Sequence, residues 1–405
     1  MRRLSHRTAF PVLAGTLVVL LFASSAPSPL YVVYQRHWDF SAITLTSVFA
    51  VYAIALLGAL LVAGSLSDHI GRRPVLLLAL GIELLAMLAF AEASGVVWLF
   101  AARVLQGVAT GIAMGAISAA LLDLQPEDKP WLGALAGVVA PMTGLATGAL
   151  VTGLLVQYAP NPTTFVFWLL FGAFVLAAGV ALLVPETVDG DGRWRQSLRP
   201  RVGVPPHVRS AFVRALPSLT ATWALGGLIL SLGPSLTTSV LGTNSHVAGS
   251  LPIFLIAGIS AVASIRARTL SARTTARGGL AALIAGIAMA VGALALGSNA
   301  LFLAGAAVCG LGFGPAFAGI FRSLTDLAPE ARRAELVSSV LTVSYVAFSV
   351  PAIIAGVAVT QVGLRETAEV YGVVLIALAA LALLLSGALD DGGELVCPAR
   401  EGVRA

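Results

Sequence analysis

Charge is what this chain has least of. Only 11% of its 405 residues are Asp, Glu, Lys or Arg, against about 25% in a water-soluble domain. Water is therefore not its main solvent. Lysine is almost missing, with Lys129 alone among 24 basic residues. Cysteine occurs twice, at Cys309 and Cys397, too sparsely for a disulfide framework. The five histidines, His6, His37, His69, His207 and His246, are scattered over termini and loops, and no two stand at a metal-ligand spacing. The chain offers no nucleophile triad and no phosphate-cradling glycine loop. It gives no ground for catalysis, a metal or a cofactor.

Apolar residues fill the space, at 58% of the chain and a mean hydropathy of +0.95. A membrane-crossing helix needs about 20 of them in succession, and such stretches recur throughout. Twelve helices are expected, over about 11–34, 42–66, 74–93, 96–122, 132–157, 163–184, 212–240, 247–266, 278–297, 299–323, 336–361 and 368–388. The opening, Met1-Arg2-Arg3 with an apolar run to Phe22 and then Ala23-Ser24-Ser25-Ala26, has the outline of a signal peptide. Pro27 and the renewed apolar run Leu30-Tyr31-Val32-Val33 argue instead for a retained first span. The one long connection carries Arg193, Arg195, Arg199, Arg201 and Arg209. The organisation expected is a six-helix bundle over 1–186, a linker over 187–210, a second bundle over 211–389 and a tail over 390–405.

Basic residues fix an expected orientation. With the N-terminus inside, 21 of the 24 lie on the cytoplasmic side, Arg36 and Arg365 lie outside, and Arg103 falls within a span. That bias follows the positive-inside rule and places both termini in the cytoplasm. The net charge of +5 is accounted for by this sorting and does not indicate nucleic acid.

The halves repeat. Asp123-Leu124-Gln125-Pro126-Glu127 returns as Asp326-Leu327-Ala328-Pro329-Glu330, 203 residues on, and the same register pairs Gly107 with Gly310 and Gly111 with Gly314. Parallel duplication of a six-helix unit is a transporter architecture. The repeat also fails informatively: at an offset of 204 Asp68 falls on Ala272 and Gly64 on Arg268, and at 203 Arg103 falls on Ala306. The first half keeps charges that the second lacks, as a division into an ion-coupling half and a substrate-shaping half would produce.

Between the second and third spans stands Gly64-Ser65-Leu66-Ser67-Asp68-His69-Ile70-Gly71-Arg72-Arg73-Pro74. The pattern G-x-x-x-D-x-x-G-R-R-P resembles the signature loop of the major facilitator superfamily (MFS). That resemblance implies an all-α polytopic membrane protein with 12 transmembrane helices in two pseudo-symmetric six-helix bundles. It also implies a monomeric secondary transporter in the lipid bilayer. Gly64, Asp68, Gly71, Arg72 and Arg73 would then be gating residues, Asp68 meeting the N-terminal end of helix 11 near Leu336 to Ser339. The cavity would be lined mainly by helices 1, 4, 7 and 10.

Two intramembrane groups are candidates for proton coupling. Arg103 sits in Arg103-Val104-Leu105-Gln106-Gly107, several residues from a loop, where a charge is costly unless it has a partner. R-x-x-Q-G is similar to a helix-4 signature that the superfamily's proton-coupled exporters carry. Arginine keeps its proton, so it would bias a neighbouring carboxylate or hold an anion; the plain alternative is snorkelling to the interface. Glu83, in the third span, is a carboxyl that could load and release a proton, or could serve only as a structural hydrogen bond. Gly137 to Gly144 with Pro141 resembles a worn version of the exporters' glycine-proline motif, and Pro185-Glu186-Thr187 at the end of helix 6 is similar to what those exporters usually carry there. Candidates for the cavity are Ser25 and Tyr31, Gln106, Trp223 and Ser235, and Tyr345, a set suited to a weakly polar or amphipathic small molecule. The reading is a proton-coupled exporter of a small organic solute or drug in a bacterial inner membrane. The alternatives are an importer of a sugar or organic acid, and a sensor or scaffold that moves nothing.

Overall fold

The computed structural model describes residues 3–387, apart from positions 189, 191, 193, 194, 196, 197, 199, 201, 241, 243 and 244. The tail over 390–405 with Cys397, and the linker residues Arg193, Arg199 and Arg201, lie outside the described residues. Among the described residues, twelve helices are long and apolar enough to cross a membrane. They are α1 (His6–Trp38), α2 (Ala42–Ala63), α3 (Arg72–Ala91), α4 (Val96–Asp123), α5 (Leu132–Tyr158) and α6 (Pro162–Ala181). After the linker come α7 (Pro206–Thr238), α8 (His246–Ala267), α9 (Ala272–Leu296), α10 (Asn299–Leu327), α11 (Glu330–Val362) and α12 (Leu364–Ser386). No strand occurs among the described residues.

All twelve expected helices are present, and several run further than their apolar stretches. α9 starts at Ala272 rather than near 278, because the Ser271 side chain accepts a hydrogen bond from Thr274 N at 3.1 Å and caps two polar turns that include Arg273 and Arg277. α11 starts at Glu330 rather than near 336. Its hydrophilic first turns are helical without being membranous, and hydropathy sees only the membranous part.

Packing follows the small residues. At Gly107 and Gly111 of α4, a Cβ would run into the α2 carbonyl oxygens of Tyr52 and Leu56. Their repeat partners on α10 face α8 in the same way: a Cβ on Gly310 would stand 2.8 Å from both Ile259 Cβ and Leu255 O. Gly144 and Gly148 of α5 press on the backbone of α1 at Val18 and Phe22. Close backbone approach of this kind drives helix association where lipid removes the hydrophobic incentive.

The end of the bundle that carries Gly64–Pro74 is called here the near face, and the other the far face. α2 packs along α11, and α5 along α8, and these two helix pairs make most of the contact between the two six-helix sets, with smaller contacts of α7 on α1 and α2 and of α8 on α1. At the far face both contacts are built alike. A Cβ on Gly153 of α5 would collide with Ser250 Oγ and stand 3.1 Å from His246 O; one on Gly356 of α11 would collide with Thr46 Oγ1 and stand 3.0 Å from Ala42 O. Gly356 follows Gly153 by 203 residues, and Ser250 and His246 follow Thr46 and Ala42 by 204. The duplication therefore produces two equivalent clasps. Gln157 Oε1 reinforces one of them by accepting from Ser245 Oγ at 2.8 Å and from Val247 N at 3.2 Å.

Glycines in tight contact and glycines in open space give a direct comparison. Gly148→Val should destabilise the folded protein by about 1–3 kcal/mol through overpacking of α1 against α5, read as a lower thermal unfolding temperature in detergent. Gly172→Ala, where a Cβ meets nothing within 4 Å, should show no such loss.

Candidate transport site

A buried polar cluster lies where α1, α2, α3 and α4 meet. Arg103 and Gln106 sit three residues apart on α4 and so share a face; Gly107 beside them lets α2 come close. Pro27 has no N–H to offer Ala23 O, the acceptor one turn back. Gln106 Nε2 takes that free carbonyl at 3.0 Å. The proline in α1 thus creates an acceptor that a side chain of α4 fills.

The guanidinium of Arg103 is wholly enclosed, at 0% exposure. Its Nε donates to Tyr31 Oη at 2.8 Å and its Nη2 to the same oxygen at 2.6 Å. Nη1 donates to Ser24 O at 3.0 Å and to Gln106 Oε1 at 2.7 Å. The rings of Tyr31, Tyr52 and Phe90 stand 5.1–5.9 Å from its central carbon, within cation–π range. Tyr52 Oη donates in turn to Ser24 Oγ at 2.7 Å. Arg103 is held inward by this cage and does not snorkel.

Glu83 joins the cluster from α3. Gln106 Nε2 donates to its Oε1 at 3.4 Å, and its Oε2 is buried without a hydrogen-bond partner. Arg103, Gln106 and Glu83 therefore form a chain in which the amide relays between guanidinium and carboxyl. Arginine stays charged, so the charge of the whole cluster is set by whether Glu83 carries a proton.

The same positions in the second half are apolar. In the repeat register Ser24, Tyr52, Glu83, Arg103 and Gln106 correspond to Leu228, Ile256, Ile287, Ala306 and Cys309. All five line one partly open apolar void among α7, α8, α9, α10 and α12.

A second grouping of side chains lies where α7, α10 and α11 face α2. Trp223 packs against Phe317 with ring centroids 5.4 Å apart, against Tyr345 at 5.1 Å and against Phe348 at 5.8 Å. Phe348 also reaches Phe49 of α2 at 5.0 Å, so aromatic contact bridges the two sets of six helices. Trp223 Nε1 is buried with no acceptor.

The near-face loop is a capped, charge-linked corner. Gly71 has φ +111°, in the region glycine favours, and a Cβ there would stand 2.8 Å from Glu186 Oε2. Glu186, just beyond α6, accepts from Arg72 N at 2.7 Å and from Arg73 N at 3.1 Å, so a carboxylate caps the N-terminus of α3. The Arg72 guanidinium pairs with Asp68, donates to Ser67 Oγ at 2.8 Å and reaches Asp123 of α4 at 3.2 Å. Asp123 also accepts from Thr187 Oγ1 at 2.8 Å.

Asp68 thus engages its own loop. The stretch Leu336–Ser339, expected as its partner, lies inside α11 and not at the helix end, and Ser339 Oγ donates to Gly203 O at 3.1 Å. Of the cavity candidates, Tyr31 and Gln106 belong to the Arg103 cluster. Ser25 is buried against Gly148 of α5 and donates to Phe22 O at 3.1 Å. Trp223 and Tyr345 come together; Ser235 closes the α-helical part of α7 before a π-helical turn, Leu236–Val240. Tyr52, Phe317 and Phe348 were not singled out from sequence, and nothing short of the packing marks them. Asp123 and Glu186 stood in noted motifs, without a role at the loop.

Twelve spans, a charged centre enclosed in one half and paired contacts between duplicated halves define a polytopic membrane transporter. Comparison with known proteins agrees: the family model described as Major Facilitator Superfamily matches residues 13–350, and the chain belongs to that family of membrane transporters. Among curated relatives it is 29% identical over 305 residues to the multidrug transporter MdfA of Yersinia pestis, covering 71% of each chain. It is 26% identical over 216 residues to the methylenomycin A resistance protein of Streptomyces coelicolor, covering 51% of this chain and 43% of that one. In fold it is similar to a POT family transporter solved in complex with a thioalcohol-conjugated peptide, with a TM-score of 0.74 at 15% identity over 94% of this chain and 96% of that one.

The Arg103 cage predicts its own mutants. Tyr31→Phe removes an oxygen that accepts from both Nε and Nη2, and unmaking a buried charge-assisted hydrogen bond should cost about 1–3 kcal/mol. Arg103→Lys keeps the charge without the planar fork and should unfold at a lower temperature as well. Thermal unfolding of the purified variants in detergent checks both.

Proposed function

We propose that this protein is a secondary active exporter that moves a small organic solute out of the cell in exchange for protons, by alternating access. The observation that carries the reading is the enclosed chain Arg103–Gln106–Glu83, in which one carboxyl oxygen has no partner. Such a group can change its protonation state while a fixed positive charge holds the surrounding helices. In this reading Glu83 carries the proton, and Arg103 positions it and responds to its charge. The relatives named as a multidrug transporter and an antibiotic resistance protein favour export over uptake.

Alternation would occur between two units, 1–186 and 211–389, joined by the linker over 187–210, with the chain acting as a monomer. The sorting of basic residues supports a cytoplasmic near face, with both termini on that side of a bacterial inner membrane. Gly64, Asp68, Gly71, Arg72 and Arg73 would serve the near-face gate. The Asp68–Arg72–Asp123 links are partly exposed, so each is weak and can be exchanged as the units rock. The two glycine clasps would form the far-face gate. Their equivalence suits opening both together.

Two measurements test this. In proteoliposomes with an imposed pH gradient and a panel of solutes, the wild type should couple solute movement to proton movement. Glu83→Gln should abolish gradient-driven accumulation yet retain solute exchange at equal pH. Coupled accumulation that survives Glu83→Gln would remove the role given to Glu83, and uptake in the proton's direction would favour the importer. Separately, Gly153→Trp should wedge one clasp and lengthen the distance between nitroxide labels at positions 157 and 245, whereas Gly172→Trp should not. An unchanged distance would exclude the clasp as a gate.

A further inference from the structure

We infer that the aromatic grouping around Trp223 is the solute site, and that it takes a flat, uncharged aromatic molecule bearing a hydrogen-bond acceptor such as a carbonyl. The inference rests on the reading of the protein as a solute transporter and names the class of solute. Three observations carry it. The first is composition. Phe317 of α10, and Tyr345 and Phe348 of α11 set their rings 5.1–5.8 Å from that of Trp223 of α7, and Trp223 and Phe317 keep part of their surface open. Aromatic groups gain most from such a surface through offset and edge-to-face contact.

The second is an unused donor. An indole nitrogen can only donate, and buried polar groups are almost always bonded. Trp223 Nε1 is buried with no acceptor, although the ring itself is well packed. A solute carbonyl lying against the ring would supply the missing acceptor.

The third is the charge environment. Glu83 is fully enclosed behind Gln106, and it is the one acidic side chain, among the described residues, set in the middle of a membrane-crossing helix. A cationic solute would therefore find no open counter-charge beside Trp223. An anion fares no better, because Arg103 is wholly buried and four of its five N–H groups are committed to Tyr31, Ser24 and Gln106. Neutral solutes are what remains. The bridge from Phe348 to Phe49 of α2 places the grouping where the two sets of helices meet, so a solute there would be felt by both.

The test uses the full chain in lipid nanodiscs without a gradient, and four probes: coumarin, which is flat, neutral and carries a lactone carbonyl; naphthalene, flat and neutral without an acceptor; ethidium, a flat cation; and cyclohexanone, a carbonyl without an aromatic ring. Coumarin should bind saturably, and ethidium and cyclohexanone should not. Trp223→Phe keeps a ring and removes the donor, and should weaken coumarin about 3–10-fold, the span of one net hydrogen bond, while leaving naphthalene unchanged. That cross-comparison isolates the carbonyl–indole contact. If Trp223→Phe does not fold, the preference of the wild type for coumarin over naphthalene decides the matter, its absence overturning the inference. Equal loss of both ligands, no loss of either, or tighter binding of ethidium than of coumarin would also overturn it. Failure of the wider reading looks different. Coumarin bound saturably and sensitive to Trp223→Phe, yet moving no protons in sealed proteoliposomes, would leave the solute site standing and sink proton-coupled export. Ethidium driving protons while coumarin does not bind would do the reverse.

Discussion

A guanidinium enclosed in a membrane protein must have its N–H groups satisfied from within, and much of the first half is arranged to do this for Arg103. Its donors reach α1 through Tyr31 and Ser24 O and its own helix through Gln106. α1 is broken at Ala26–Pro27, where the chain can give up a carbonyl to a side chain. α2 approaches α4 over Gly107 and Gly111, bringing Tyr52 over the charge. Desolvation makes this centre expensive, and the helix contacts around it hold the solvating groups in place.

That constraint also connects the centre to the rest of the molecule. α1, which cages Arg103, packs on α5 through Gly144 and Gly148, and α5 in turn meets α8 at Gly153. α2, which supplies Tyr52, meets α11 at Thr46 and Gly356 and at Phe49 and Phe348. The helices packed around Glu83 and Arg103 are thus also those that form the boundary between the two sets of six. Each step is a direct contact.

The architecture was legible in the sequence because bilayer thickness imposes a length on every span. Twelve apolar stretches gave twelve helices, and the signature loop gave the family. Helix ends were less legible. Ser271 and the polar turn after it are governed by capping and not by hydropathy, and Glu330 to Glu335 are helical outside the apolar stretch. Side-chain partnerships were least legible. Glu83 could be seen to lie in a span, but its bond to Gln106 depends on how α3 turns about its axis. Gln106 and Tyr31, expected on an open surface, are enclosed by Arg103 for the same reason. Glu186 caps α3 from more than a hundred residues away in the chain, a pairing no local pattern encodes.

The void in the second half carries a lesson about cost. Leu228, Ile256, Ile287, Ala306 and Cys309 occupy the places of Ser24, Tyr52, Glu83, Arg103 and Gln106, and their helices pack in the same pairs. The chain thus contains its own control experiment, one copy of the six-helix unit with the charged centre and one without. Since the unit closes around hydrocarbon alone, folding does not demand the centre. The apolar copy thus separates what the packing of the six-helix unit requires from what the charged centre adds to it.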